Sequence, residues 1–421
     1  MRPYALRGDF IWTPSPGALE LRPGAYAVCD ENGLCAGVFD VLPESYAGLP
    51  VRDLGDTLIV PGYSDLHTHA AQYRDMGLGM DHELIGWLSD LTYPEEARFA
   101  DAAFAREIYG RFAAELRAGF TTRACIFASA HREGTEILMD ILDMTGLKTF
   151  VGKVNMDRNA PDYLRERDAA FAAEDTERWL SETMGRYENT KPILTPRFVP
   201  SCTPEAMEAL GAIRRKWGVP VQSHLDETPE EVAWVRELCP DSESYAHVYD
   251  AAGMLGPDAV MAHCIYLTDP EVALLKARGT FIAHCPASNM NVRSGIAPIR
   301  RYLDEGLNIG LGTDISGGHT LDMGQAVRDA LSVSRLLWRL REEKPPHLAA
   351  AEAFYLATAG GGAFFGKAGK FEPGYAFDAV AVDDGGWRDP GDGLDIRFQK
   401  MIYRAASRNV VSKYVAGRRL F

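Results

Sequence analysis

The sequence has no uninterrupted apolar run approaching the roughly 18 residues of a membrane-spanning helix. Its first residues, Met-Arg-Pro-Tyr-Ala-Leu-Arg-Gly-Asp, lack the apolar stretch of a secretory signal. A cytoplasmic location is therefore expected. Runs of Lys or Arg are also missing: 44 basic against 59 acidic residues leave a formal net charge of -15, a field that repels nucleic acid and anionic membranes. A small or neutral substrate fits that balance better. Cysteine is sparse, with seven residues scattered outside any paired framework, which suits a reducing compartment. Cys29 and Cys35 flank a predicted hairpin, but no disulfide is expected. The absence of Cys-x-x-Cys argues against a nucleic-acid base deaminase, whose zinc signature uses that motif.

What is present is the composition of a globular chain. Of 421 residues, 46% are hydrophobic and 24% charged, enough for a large core in one big domain plus a smaller one. Eight short apolar runs rich in β-branched residues recur between residues 57 and 313: Thr57–Tyr63, Phe120–Phe127, Thr149–Asn155, Pro192–Phe198, Val219–His224, Ala259–His263, Thr280–His284 and Leu307–Thr313. Amphipathic helical patterns lie between most of them, with Gly119, Gly146, Gly218, Gly279 and Gly306 placed as left-handed helix caps. Continuous apolar strands alternating with helices predict a parallel (β/α)8 barrel over residues 58–366; an open doubly wound sheet is the alternative. Residues 1–57 and 367–421 alternate instead, with Asn32-Gly33 read as a type I′ turn. Both termini are expected to combine into one small β-sandwich-like domain, and helical segments at 321–341 and 349–365 to close the barrel.

Histidines collect at the predicted strand ends. His67 and His69, at i and i+2, share one strand face. His224 and His263 close the fifth and sixth strands, and Asp314 follows the eighth in Gly-Leu-Gly-Thr-Asp. In a barrel these ends converge on one mouth, where buried imidazoles and a carboxylate are costly unless a divalent cation satisfies them together. Nitrogen and oxygen donors without cysteine favour Zn2+, with Fe2+ or Mn2+ as alternatives. The fourth strand ends Thr195-Pro-Arg-Phe198, offering no lysine to bridge a second metal, so one ion is expected.

The pattern of His67, His69, His224, His263 and Asp314 resembles the amidohydrolase superfamily over nearly the whole chain. Pro61–Gln72, Phe150–Tyr163 with its Met-Asp-Arg-Asn-Ala-Pro-Asp-Tyr run, Thr195–Phe198, His224-Leu-Asp-Glu227, Met261–His263 and Gly312–Asp314 resemble, more narrowly, the guanine deaminases. The resemblance implies hydrolysis of guanine to xanthine and ammonia by metal-activated hydroxide, in purine catabolism, commonly by a homodimer. It makes His67, His69, His224 and Asp314 the metal ligands. Glu227 becomes the proton shuttle, with His263 and Asp314 assisting at the nucleophile. Gln72, Arg197, Phe198, His224 and Glu227 become substrate contacts. Arg197 is a suitable donor to guanine O6, where adenine presents a donor of its own. His284 is expected to support the site from behind, Asp65 to be structural, and Trp87 and Tyr93 to pack near the pocket. Departures from the family lie at Ser316-Gly-Gly-His-Thr320 and Tyr403–Arg408. The competing readings are a relative acting on a triazine, pterin or modified guanine, and a non-enzymatic scaffold, which the intact ligand set disfavours.

Overall fold

Strands buried on both faces need partners on both edges, and the chain satisfies this by closure. In the computed structural model, which describes residues 1–421, β1 (Tyr4–Trp12), β2 (Glu20–Cys29), β3 (Cys35–Phe39) and β4 (Val51–Pro61) precede the barrel. The barrel strands are β5 (Tyr63–His69), β6 (Thr121–Phe127), β7 (Lys148–Gly152), β9 (Thr190–Pro192), β11 (Val221–Leu225), β12 (Ala259–His263), β13 (Phe281–His284) and β14 (Asn308–Leu311). Two-residue strands β8 (Val154–Asn155) and β10 (Thr195–Pro196) pair with each other just beyond β7 and β9. The eight-stranded sheet is parallel in the order β11-β12-β13-β14-β5-β6-β7-β9. Leu194, just past β9, bridges in parallel to Val221 of β11 and so joins the two ends. The predicted (β/α)8 barrel is observed.

A separate seven-stranded sheet is built from both chain termini, in the order β17-β16-β15-β4-β1-β2-β3, where β15 is Ala379–Val382, β16 Val410–Val415 and β17 Arg418–Arg419. The main apolar cluster runs through the barrel and takes in Leu58, Val60, Val380 and Val382 from this sheet. A second cluster on the terminal sheet includes Leu6, Phe10, Phe371, Phe377 and Tyr414. Barrel and sheet therefore share packed surface. Arg123 of β6 adds an ion pair to Asp378 at 2.6 Å, buried between them.

Four local expectations are corrected. The run Thr57–Tyr63 is not the first barrel strand: residues up to Pro61 pair with β1 and β15, and β5 begins only after Gly62. A Cβ on Gly62 would lie 2.1 Å from Thr122 Oγ1, so glycine is needed where the chain passes between sheets. Gly146, Gly218, Gly279 and Gly306 have the expected positive φ, but Gly119 has φ -82° and ψ -161°, because the chain runs extended from its helix into β6. Gly33 has φ 79° while Asn32 does not reach positive φ, so the hairpin is not type I′. The Asp30 carboxylate instead accepts from the amides of Asn32 and Leu34. The amphipathic helix Leu394–Arg404, unforeseen in the sequence, buries Phe398, Met401 and Ile402. No helix is long and apolar enough to cross a membrane.

Candidate active site

The carboxyl ends of the barrel strands carry the polar groups. Period-two alternation in β5 turns His67 and His69 to one side, with their Nε2 atoms 3.1 Å apart. His224 of β11 brings its Nε2 to 3.2 Å from that of His69. Asp314, three residues past β14, places Oδ1 3.2 Å from His67 Nε2 and 3.4 Å from His69 Nε2. Its amide donates to His67 O at 2.8 Å, and its φ of 46° bends the carboxylate back over the mouth. His263, at the end of β12 with φ 70°, points its Nε2 at Asp314 Oδ2, 3.7 Å away, and at Glu227 Oε2, 3.4 Å away.

Donors held at about 2.0–2.2 Å around a tetrahedral cation lie roughly 3.3 Å from one another, and these separations match. Tautomers agree as well. His224 Nδ1 lies 2.6 Å from Arg197 O, an acceptor only, so Nδ1 carries the proton and Nε2 presents a lone pair to the centre. Burial, and then the charge of neighbouring His67, hold the pKa values of His69 and His224 far below the usual imidazole range. Burial opposes ionisation of Asp314, yet His67 and then His263 keep its carboxyl well below the usual range. Neutral imidazoles and an ionised carboxylate converging in a buried site are the protonation states of a divalent-metal donor set.

Glu227 is buried and accepts from Ser294 Oγ at 2.8 Å. Burial raises its carboxyl pKa, against the pull of His263. His263 Nδ1 meets Asn289 Oδ1 at 2.9 Å, which orients the ring. Asp65 accepts from Thr313 Oγ1 at 2.5 Å and from the His67 amide at 3.2 Å, a bracing position behind the cluster. His284 is also behind it, fully buried with neither ring nitrogen hydrogen-bonded, and burial pushes its pKa down to about 3.

A pocket opens over this cluster. His69, Gln72, Arg197, Phe198, His224, Glu227, His263 and Asp314 line it, so of the residues to which the resemblance gives a metal, catalytic or substrate role only His67 does not reach the pocket. Leu84, Trp87, Leu88 and Val292 give it apolar walls. Trp87 thus borders the cavity, while Tyr93 packs its ring under Arg197, 5.2 Å from the guanidinium carbon. Sequence reasoning did not single out Glu96, Asn289 or Ser294. Glu96 follows Glu95 at a Tyr-Pro-Glu helix start, both carboxylates are buried, and nothing in their spacing marks Glu96 as the one that meets Arg197. Asn289 lies in the short helix Pro286–Asn291 after β13 and Ser294 just past it, where only the fold reveals their partners.

A (β/α)8 barrel with three imidazoles, a carboxylate and a nearby buried glutamate at its mouth defines a metal-dependent hydrolase. The model of the amidohydrolase family matches residues 58–420. The chain is 37% identical to the guanine deaminase of Dictyostelium discoideum over 98% of this chain and 97% of that protein. To the human guanine deaminase it is 37% identical over 88% and 84%. The crystal structure of guanine deaminase from C. acetobutylicum with bound guanine in the active site superposes with a TM-score of 0.97 at 40% identity over the full length of both chains. The chain belongs to the amidohydrolase family and, within it, to the guanine deaminases.

Proposed function

We propose that the protein hydrolyses guanine to xanthine and ammonia at this pocket, with His67, His69, His224 and Asp314 holding one divalent ion per subunit. Zn2+ suits the donor set best, and Fe2+ is the alternative. Bound there, the ion supplies a nucleophile by bringing the pKa of water toward about 7. His263, steadied by Asn289, orients the attacking water, and Asp314 helps to take its proton. Water oxygen adds at C2, the carbon bearing the amino group. Glu227 takes one water proton and hands it to the adjacent ring nitrogen, then relays the second, released from the added hydroxyl as the C2=O bond forms, to the departing amine. The C2–N bond breaks and ammonia leaves. Arg197 donates to O6, Gln72 hydrogen-bonds the purine, and Phe198 abuts the ring, with His224 and Glu227 completing the contacts.

The observation that carries this reading is convergence on one cavity. The His/Asp cluster, a buried carboxyl 3.4 Å from His263 and a guanidinium all border the same pocket. We further assign the enzyme to purine catabolism in the cytoplasm as a homodimer. Residues 62–366 form its catalytic domain, and residues 1–61, whose last strand pairs with β1 and β15, join 367–421 in its small one, four residues past the boundary expected from the sequence. The test is turnover of metal-replete protein with guanine beside adenine, cytosine and melamine, with Glu227→Gln as control. Guanine alone should react, and Glu227→Gln should lower its turnover by about 10^2 to 10^4. Turnover of melamine without guanine, or a fully active Glu227→Gln, would overturn the substrate or the shuttle respectively.

A further inference from the structure

Arg197 is buried at the pocket wall with only 3% of its side chain exposed, and a buried guanidinium requires a counter-ion. The counter-ion is Glu96, equally buried, on the short helix Tyr93–Ala97. Both contacts from Arg197 to Glu96 leave one terminal nitrogen, which lies 2.9 Å from Oε1 and 2.7 Å from Oε2. The pair is therefore end-on rather than bidentate, and the other edge of the guanidinium fork is not consumed by protein.

Glu96 reaches a second pocket residue with the same carboxylate. Its Oε1 also accepts from Gln72 Nε2 at 2.9 Å, while Gln72 Oε1 accepts from the Ser316 amide at 3.1 Å. That arrangement settles which end of the Gln72 amide is nitrogen. It leaves Gln72 one further N–H and one further lone pair. The adjacent Glu95 takes no part: its carboxylate lies against Arg74 and Arg98 on the outer side. Glu96 is thus the single group joining two pocket residues that come from separate parts of the barrel, the segment after β5 and the end of β10.

We infer that Glu96 is the positioning residue for substrate selection, holding Arg197 and Gln72 as one preset donor array for a purine bearing a carbonyl oxygen at C6. The inference rests on the proposed reading of Arg197 as the O6 contact. Glu96 touches neither the reacting carbon nor the cation site. It acts by keeping the Arg197 charge compensated and turned away from the carboxylates of Asp314 and Glu227, both of which lie on the same pocket. Without it, Arg197 is drawn to those groups, and the array that reads the oxygen is lost while the hydrolytic cluster persists.

The test compares wild type, Glu96→Gln and Glu96→Asp as metal-loaded proteins. KM and kcat are measured for guanine, with inhibition constants for hypoxanthine, which has the oxygen, and purine, which lacks it. For Glu96→Gln the preference for hypoxanthine over purine should fall at least tenfold. The KM for guanine should rise more than kcat falls. Glu96→Asp keeps the charge but shortens the reach, and should retain part of the preference. If Glu96→Gln does not fold, a preference in Glu96→Asp equal to that of wild type overturns the inference. A Glu96→Gln protein that keeps the wild-type preference, or loses kcat for guanine with KM unchanged, overturns it as well. A wild-type enzyme that ignores guanine, or binds purine as well as hypoxanthine, instead defeats the reading of Arg197 itself, so the two failures are distinguishable.

Discussion

Individual side chains in this molecule are placed at a cost that only their partners offset. The cluster at the mouth sets four imidazoles and two carboxyls within a few ångströms, and its protonation pattern follows from burial opposed by charge pairing. Lys413 shows the same physics away from the site. It is fully buried in β16 and its Nζ donates to the carbonyls of Arg117 at 2.6 Å and Thr121 at 2.9 Å, tying the terminal sheet to the foot of the barrel. Burial, and then the neighbouring Arg117, push its pKa down to about 7, below the unfolded value of about 10.4. Below about pH 7 both states carry the proton, and the fold bears the whole cost of the buried charge. Between there and about pH 10.4 the unfolded chain holds more protons, so stability rises with pH. Relative to a Lys413→Met variant, wild type should gain about 2 kcal/mol between about pH 7 and about pH 9 in denaturant titrations. A difference that stays constant with pH would contradict this placement.

At the scale of elements, the passage from β4 to β5 carries the strictest steric demand. A Cβ at Gly62 would meet Thr122 Oγ1 at 2.1 Å and Cγ2 at 2.2 Å. Gly62→Ala should cost about 1–3 kcal/mol through overpacking, while Gly48→Ala, whose Cβ meets open space, should stay within about 0.5 kcal/mol. Equal denaturation midpoints for the two variants would show that the junction can shift. This junction also explains where the sequence misleads. Leu58–Val60 looks like a barrel strand because it is buried on both faces, but the faces it meets belong to the terminal sheet and to the barrel's outer packing. Apolar periodicity reports burial and not which sheet does the burying. The eight-strand alternation and the strand-end histidines were legible because each depends on local spacing alone. The roles of Glu96, Asn289 and Ser294 depend on pairs distant in sequence, such as Arg197 with Glu96, and spacing carries no trace of them. The helix Leu394–Arg404 was hidden by the acidic, glycine-rich stretch before it.

At the scale of the whole molecule, a continuous core joins barrel and terminal sheet, and the proposed donor set at the mouth draws on β5, β11 and the segment after β14. With the proposed ligands on opposite sides of the barrel, metal binding should support barrel closure, so stripping the ion should lower thermal stability as well as activity. The measurement that tests the account most directly is a titration of metal-stripped protein with Zn2+, following xanthine formation from guanine and the melting temperature together. The account predicts that both rise in parallel and reach a plateau at about one equivalent per chain. Guanine turnover by the metal-free protein, or a plateau that requires about two equivalents, would contradict it.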